Sequence, residues 1–121
     1  MAEAVLNTTQ FVVFVLSDEE YGLDIQMVNT IEKMIPITRV PKTPSFIKGV
    51  INLRGDIVPI MDLKERFGLA MTEETEETRI IIVKFEDIQM GVIVDEVKEV
   101  IYINEEQIES TTSLAKEGLM E

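Results

Sequence analysis

Two stretches of the chain repeat one pattern of residues, and this repeat limits the folds that the chain can adopt. Residues 11–31 align with residues 80–100 when the sequence is shifted by 69 positions. Besides the apolar positions, a turn acid and a glycine coincide, the pairs being Asp18 with Asp87 and Gly22 with Gly91. The repeat predicts two similar β units, each with a hairpin followed by a short helix-like segment. Two unrelated buried hairpins could also resemble each other by chance.

The apolar runs in both units are rich in β-branched and aromatic residues, which predict strands. Residues 10–16 read QFVVFVL and residues 79–85 read RIIIVKF, and each run leads through a polar turn into a return strand. Residues 25–35 instead place apolar side chains at helical spacing, and they predict a short helix with some strand character. Residues 95–100 are ambiguous between helix and strand. Both units are therefore predicted to be mainly β.

A central stretch, residues 39–63, joins the two units. At its start, Thr43 and Pro44 have the pattern of a helix N-terminus and predict one helical turn, which Gly49 ends. The apolar segments that follow predict a hairpin with Arg54 at its tip, where the neighbouring glycine permits the positive φ of a tight turn. We interpret this hairpin as the element that closes the first β unit and presents a binding surface.

The residues after the hairpin tip carry further local signals. Pro59 cannot donate a hydrogen bond to a neighbouring strand, so it should lie at a sheet edge or a bulge. Asp62 is placed to cap a brief helix over residues 63–67, which Gly68 would end. The acidic run at residues 72–78 lacks the pattern of a calcium-binding loop and is predicted to be a solvated linker.

The repeat also divides the chain into a first unit at about residues 9–70, an acidic linker at 71–78 and a second unit at 79–121. The first unit has a closing hairpin, and the second has no equivalent before the sequence ends. An open second unit would leave unpaired strand edges, which favour strand exchange between chains. We therefore interpret the chain either as a fragment or as a domain that a partner chain completes, for example in a strand-exchanged homodimer.

The composition excludes several classes of functional site. The chain has no cysteine and no histidine, so disulfides, thiolate metal sites and the most common general base are excluded. We therefore expect no metal and no cofactor. Asp62 and Asp95 could form a catalytic carboxylate pair, but each is also explained as a helix cap. These features predict a protein that is not an enzyme.

The charge distribution favours protein partners. The net charge of −12 opposes binding to nucleic acid, whose phosphates would repel the chain. The segment from position 33 to position 54 contains no acid and carries five cations, Lys33, Arg39, Lys42, Lys48 and Arg54. Such a cationic island suits an acidic protein partner, although solvated surface charges explain it equally well. The N-terminus lacks a secretion signal, and no apolar run approaches the ~20 residues of a membrane span, which predicts a cytoplasmic protein without membrane insertion.

Several motifs together resemble the CheW family of chemotaxis coupling proteins. They are QFVVFVL, EEYGLDI and ITRVPKTPSFIKGVINLRGDIVPIMDL, followed by RIIIV and GVIVDEVKEV, and they cover residues 9–110. The resemblance implies two small SH3-like, five-stranded β-barrels with short helices, the second barrel being incomplete in this chain. It also implies a non-enzymatic adaptor that binds the regulatory domain of the histidine kinase CheA and the cytoplasmic tip of methyl-accepting chemoreceptors. The chain would then lie in the cytoplasm, held at the membrane-associated receptor array by its protein partners.

The resemblance further implies receptor-binding roles for Arg54, Val28, Thr30 and Gly49, whereas the kinase-binding residues stay unknown. Arg54 belongs to the NLRG motif and Gly49 to the FIKG motif. Val28 opens a segment that reads V-x-E-I in the family, and here Thr30 replaces the usual glutamate, so Glu32 is the candidate for the salt bridge at this position. By analogy, the groove between the barrels faces the receptor, and an end of the first barrel meets the kinase.

Each of these residues also has a structural explanation. Arg54 could be an ordinary exposed turn residue, and Gly49 could serve the backbone alone. The apolar residues of the repeat are expected mostly in the core with one or two at the groove, namely Val28, Ile31, Val97 and Val100. The alternative function is a small-ligand sensor or carboxylate-based hydrolase with a cleft between the barrels. An RNA-binding barrel fits the architecture but not the charge.

Overall fold

The structure is a computed structural model that describes residues 8–104. The chain is mainly β, as predicted. In order, the elements are β1 (Thr8–Leu16), β2 (Glu19–Asp24), a 3₁₀ turn (Ile25–Met27), β3 (Val28–Lys33), β4 (Ile47–Leu53), β5 (Asp56–Asp62), helix α1 (Leu63–Arg66), β6 (Arg79–Phe85), β7 (Ile88–Val94) and β8 (Glu96–Asn104). Within the described residues, no helix has the length and apolarity that crossing a membrane requires.

The strands form two sheets. One sheet has five strands in the order β3-β6-β7-β5-β4, and the other has three strands in the order β2-β1-β8. Neighbouring strands are antiparallel except for β5 and β7, which pair in parallel. The five-stranded sheet agrees with the predicted size of a barrel, and the second sheet has three strands among the described residues. The part of the predicted second unit beyond position 104 lies outside the described residues.

The two repeat units exchange their third strands. The third strand of the first unit, β3, pairs with β6, and the third strand of the second unit, β8, pairs with β1. The registers match under the shift of 69 residues, because Val28 pairs with Val83 as Val97 pairs with Phe14, and Ile31 pairs with Ile81 as Val100 pairs with Val12. Each sheet therefore takes strands from both halves of the chain, an exchange that the repeat alone does not predict.

Apolar side chains form two clusters, one on each face of β6. The first cluster lies within the five-stranded sheet and contains Ile51, Leu53, Val58, Ile60, Ile80 and Ile82. The second joins the two sheets and contains Phe14, Leu16, Ile81, Val92 and Val94. Because Ile80 and Ile82 face one cluster and Ile81 faces the other, β6 is buried on both faces. This explains its unbroken isoleucine run, which is typical of a doubly covered strand.

The structure corrects two of the predicted helices. Residues 25–35 form only a 3₁₀ turn at Ile25–Met27, and strand β3 follows at once. The helical spacing there arises because a bulge near position 29 shifts the two-residue alternation by one. The turn predicted after Thr43 is also wrong, since residues 41–46 contain no helix and β4 begins at Ile47. The Thr43 hydroxyl donates to the carbonyl of Val40 over 3.0 Å instead of capping a helix.

Other predictions for the central stretch are confirmed. The hairpin of β4 and β5 turns at Arg54 and Gly55, both with positive φ. Pro59 lies in the part of β5 that pairs with β4 alone, so its missing N–H leaves no gap between β5 and β7. Asp62 caps α1, and its Oδ1 accepts hydrogen bonds from the backbone N–H groups of Lys64 and Glu65.

Candidate functional site

Arg54 stands at the exposed tip of the β4–β5 hairpin. The tip is rigid, because Asn52 Oδ1 accepts a hydrogen bond of 2.9 Å from the N–H of Gly55. Arg54 Nη2 lies 3.5 Å from Glu32 Oε2. Glu32 belongs to β3, so this ion pair connects the two outermost strands of the five-stranded sheet. The cation is thus held at the surface, with its other donors open to solvent or a partner.

Glu32 and Thr30 share the inward face of β3. They pair with Ile80 and Ile82, whose side chains belong to the first apolar cluster. The Thr30 hydroxyl oxygen is buried and has no hydrogen-bond partner among the described residues. A direct contact between this hydroxyl and a partner protein is therefore excluded in this conformation. Glu32 makes its ion pair with Arg54 of the same chain, and the expectation that it replaces the glutamate missing at position 30 stays a prediction.

Val28 and Ile31 lie on the other face of β3, toward the second cluster. The bulge between Val28 and Thr30 puts Val28 on the same face as Ile31, opposite Val83 and Ile81. Val28 packs against the second cluster and is partly buried. Ile31 is 42% exposed, although its cross-strand partner Ile81 is fully buried. Of these two residues, Ile31 is the one that presents apolar surface to solvent.

The equivalent positions on β8 have the same arrangement. Val97 packs against the second cluster, and Val100 is 43% exposed. Both are related to Val28 and Ile31 by the 69-residue shift, and β3 and β8 are each the outermost strand of their sheet. We call Ile31 and Val100, with the partly buried Val28 and Val97 beside them, the edge-strand surface. The sequence expectation that one or two of these four residues border a groove stays a prediction.

Gly49 does not contribute surface to this site. It is buried and has φ of 143°, a backbone conformation that favours glycine. A Cβ atom here would lie 2.1 Å from the carbonyl oxygen of Thr38. This close approach allows Thr38 and Val50 to exchange two backbone hydrogen bonds of 2.8 Å. Gly49 therefore acts on the shape of the sheet, which agrees with the structural explanation weighed for it from the sequence.

A second exposed apolar surface lies at the hairpin tips of the five-stranded sheet. Ile57, Phe85 and Ile88 are 64%, 62% and 66% exposed. Phe85 and Ile88 face each other across the β6–β7 turn. In the repeat they correspond to Leu16, which is fully buried, and to the exposed Glu19, so Phe85 and Ile88 do not repeat the packing of the first hairpin. We call these three residues the hairpin-tip surface. Sequence analysis missed it, and the apolar residues beside the Glu86–Asp87 turn are the signal that could have found it.

The two aspartates considered as a catalytic pair serve the fold. Asp62 caps α1, as described above. Asp95 caps no helix, because β8 follows it, and this corrects the helix-cap interpretation. Its Oδ1 lies 2.7 Å from the buried Lys64 Nζ, and its Oδ2 accepts a 2.8 Å hydrogen bond from the N–H of Ser17. Lys64 Nζ also contacts the Thr72 hydroxyl. We call Lys64, Asp95, Ser17 and Thr72 the inter-sheet network, since Ser17 belongs to the turn of the three-stranded sheet.

The acidic and basic groups offer little for metal or anion chemistry. Among residues 8–104, no group of three or more acidic side chains could hold a metal ion. Within the cationic island, Lys48 Nζ lies 2.8 Å from Glu65 Oε1. Hydrogen bonds from Lys48 and Ser45 lower the pKa of Glu65 below its usual value, against the opposing effect of burial. Arg39 and Lys42 are exposed in the loop before β4.

Comparison with known proteins connects this geometry with a family. The CheW-like domain model matches residues 10–120. The chain is 43% identical over 110 residues to the chemotaxis protein CheW of Bacillus subtilis, covering 91% of this chain and 70% of that protein. It is 42% identical over 106 residues to the chemotaxis protein CheW of Klebsiella aerogenes, covering 88% and 64%.

A solved structure agrees with the sequence relatives. The crystal structure of the scaffolding protein TtCheW from Thermoanaerobacter tengcongensis superposes with a TM-score of 0.78 at 49% identity. The match covers 81% of this chain and 67% of that chain. Against the Klebsiella relative, the chain spans less than two thirds of the relative's length. The match nevertheless extends over both sheets described here, and the chain belongs to the CheW-like domain family.

Proposed function

We propose that the chain is a non-enzymatic chemotaxis adaptor that couples chemoreceptors to the histidine kinase CheA. Relatives that carry the name chemotaxis protein CheW, and a structural neighbour described as a scaffolding protein, support this role. The observation that carries the proposal is the exposure of Ile31 and Val100 at equivalent positions of two edge strands. Exposed apolar residues beside charged groups are typical of protein interfaces.

The edge-strand surface and Arg54, whose partner Glu32 lies on the opposite face of β3, are the proposed receptor contacts. An arginine can form two parallel hydrogen bonds with a carboxylate, which makes it a specific contact for an acidic group on the receptor. Glu32 would hold the guanidinium near β3 before the receptor arrives. In this proposal Val28 supports Ile31 from below, while Thr30 and Gly49 act on the site through the shape of the sheet.

The hairpin-tip surface is the proposed kinase-facing site. Three large apolar side chains in solvent at one end of a sheet would be covered in a stable complex. This surface differs from the analogy that an end of the first barrel meets the regulatory domain of CheA, because Phe85 and Ile88 belong to the second repeat unit. Each partner would then contact its own group of residues, as an adaptor requires.

The test measures the two interactions separately. We expect Arg54→Glu to weaken binding to receptor-containing membranes at least about tenfold, since it replaces an attractive charge with a repulsive one. Binding to the isolated regulatory domain of CheA should change by less than about twofold. Arg39→Glu is the matched control, because it makes the same change of charge at an exposed arginine of the loop before β4.

The result can go against the proposal in two ways. Receptor binding that is unchanged in Arg54→Glu would exclude Arg54 as a contact. Equal losses of receptor and kinase binding, together with a lower melting temperature, would show a folding defect. Phe85→Ser supplies the reciprocal arm, since it should weaken kinase binding while receptor binding is retained.

A further inference from the structure

A third exposed apolar surface lies where α1 meets the β1–β2 hairpin. Phe67 and Met71 are 53% and 49% exposed. The ring of Phe67 is 6.4 Å from that of Tyr21, which in turn stacks on the buried ring of Phe14 at 5.8 Å. Three neighbouring aromatic rings therefore extend from the second apolar cluster to the solvent-exposed surface. We call Tyr21, Phe67 and Met71 the Phe67 patch, and neither proposed partner site includes them.

The patch is held in place by the backbone and by the inter-sheet network. Phe67 directly follows α1, and its backbone N–H donates to the carbonyl of Leu63 over 2.9 Å. The N–H of Leu69 donates to the carbonyl of Lys64 over 2.8 Å. The two chain neighbours of Met71 are also held. The carbonyl of Ala70 accepts a hydrogen bond of 3.5 Å from the hydroxyl of Ser17, and the hydroxyl of Thr72 contacts the ammonium group of the buried Lys64. A rigid surface loses little conformational entropy on binding, so these ties favour the patch as a binding surface.

The groups around the patch are predominantly acidic. Asp18, Glu19 and Glu20 are exposed in the β1–β2 turn, and Glu73 and Glu74 follow Met71 in the chain. The hydroxyl of Tyr21 donates to Glu19 over 3.2 Å.

The cations nearby are already engaged. Lys98 is 3.5 Å from Glu20, the guanidinium of Arg66 lies over the ring of Phe46, and Lys64 is buried in its ion pair. The rim therefore attracts a cationic partner and repels a second copy of this chain, whose net charge is −12.

We propose that the Phe67 patch binds a basic amphipathic segment of another protein. An aliphatic or aromatic side chain of the segment packs on Phe67 and Met71. Its lysine or arginine residues meet Glu19, Glu20 and Asp18. This use of an apolar surface with a complementary charged rim is common to grooves that bind amphipathic helices.

The probe is a synthetic peptide of about 18 residues, or five helical turns, with leucine and phenylalanine on one face and lysine on the other. A scrambled peptide has the same composition and charge but no apolar face. Binding to the whole chain is followed by NMR of the Met71 methyl group and the Phe67 ring. We expect the amphipathic peptide to shift these signals and to bind at least about tenfold more tightly than the scrambled one. Added salt should weaken the binding because it screens the acidic rim.

Variants assign the binding to the patch. Phe67→Ser should weaken peptide binding about tenfold or more, whereas Phe85→Ser, at a similarly exposed phenylalanine, should leave it within about twofold. Met71→Gln provides a second variant at an exposed position, without a change of charge, in case Phe67→Ser lowers the melting temperature. Glu19→Gln with Glu20→Gln should reduce the salt dependence of the binding.

Several results would overturn the proposal. One is equal binding of both peptides, which would show that charge attraction alone explains the binding. Another is retention of full affinity in Phe67→Ser and Met71→Gln. Chemical shifts confined to the edge-strand surface would also do so. Shifts of the Met71 methyl signal on raising the protein concentration without peptide would identify a second copy as the occupant instead.

Discussion

At the residue scale, the ion pairs differ in what surrounds them. Lys48 and Glu65 are both partly shielded and 2.8 Å apart, whereas Lys98 and Glu20 are more exposed and 3.5 Å apart. Hydrogen bonds to a carboxylate stabilise its charged form. The hydrogen bonds from Lys48 and Ser45 therefore lower the pKa of Glu65.

Lys48→Met should raise the pKa of Glu65 toward its ordinary value of 4.5. The lowered pKa stabilises the fold at pH values above 4.5, and that contribution is lost as the pH falls through the pKa of the folded state. The variant should therefore lose less stability than the parent on acidification below pH 4.5. Carbon-13 NMR of the Glu65 carboxylate and urea unfolding at several pH values measure the two effects. Lys98→Met is the control, and a similar response in both variants would contradict the assignment.

At the element scale, the β4–β5 hairpin depends on two glycines for different reasons. Gly49 packs against the backbone of Thr38. A Cβ atom at Gly49 would collide with the Thr38 carbonyl oxygen, which cannot move aside. Gly55 has φ of 91° with nothing within 4 Å of an added Cβ, so only the backbone conformation is strained. The first glycine shapes the sheet, and the second only permits its turn.

Gly49→Ala should therefore lower the free energy of unfolding by more than about 3 kcal/mol, since strain and collision add. Gly55→Ala should lower it by about 1 kcal/mol, from strain alone. Urea denaturation measures both values, provided that the dependence of the unfolding free energy on urea concentration is the same in parent and variant. Receptor binding should fall with the folded fraction in Gly49→Ala. A fully folded Gly49→Ala variant that fails to bind would instead make Gly49 a contact residue.

At the scale of the whole molecule, the inter-sheet network joins the two sheets through polar groups. Lys64 is buried and Asp95 is partly exposed, and replacing Lys64 alone leaves Asp95 without its counter-charge. Removing one partner of a buried pair is more destabilising than replacing both. The exchanged strands and this network together connect the halves of the chain.

Lys64→Met should destabilise the protein by about 3 kcal/mol. Asp95→Asn keeps an oxygen that can accept the Ser17 N–H, but it leaves the buried Lys64 without its counter-charge, so its effect should be at least as large. In the double variant that carries both substitutions, the free energy of unfolding should fall by at least about 1 kcal/mol less than the sum of the two single losses. A double-mutant cycle measures this difference. Hydrogen exchange at the Ser17 amide should accelerate in Asp95→Ala but not in Asp95→Asn. Additive losses would show that the ion pair between Lys64 and Asp95 does not contribute to stability.

The sequence predicts local features of this fold well and long-range ones poorly. The hairpins, the turn at Arg54 and the cap at Asp62 depend on neighbouring residues, and all are found. The helix predicted over 25–35 fails because a bulge mimics helical spacing in β3. The strand exchange and the ion pair between Lys64 and Asp95 depend on residues far apart, which a single sequence does not connect. The exposure of Ile31, Val100 and Phe85 is likewise a property of the packed structure.

The pairing of β1 with β8 has a consequence for synthesis of the chain. Thr8 lies opposite Asn104, so β1 leaves the ribosome long before β8, the strand that completes its pairing. At 5–20 residues per second, that delay is roughly 5–20 s. The run QFVVFVL has only β2 as a neighbour during this time, and it is apolar enough to associate with other nascent chains. Slowing translation before residue 96 should therefore increase aggregation more than slowing it afterwards.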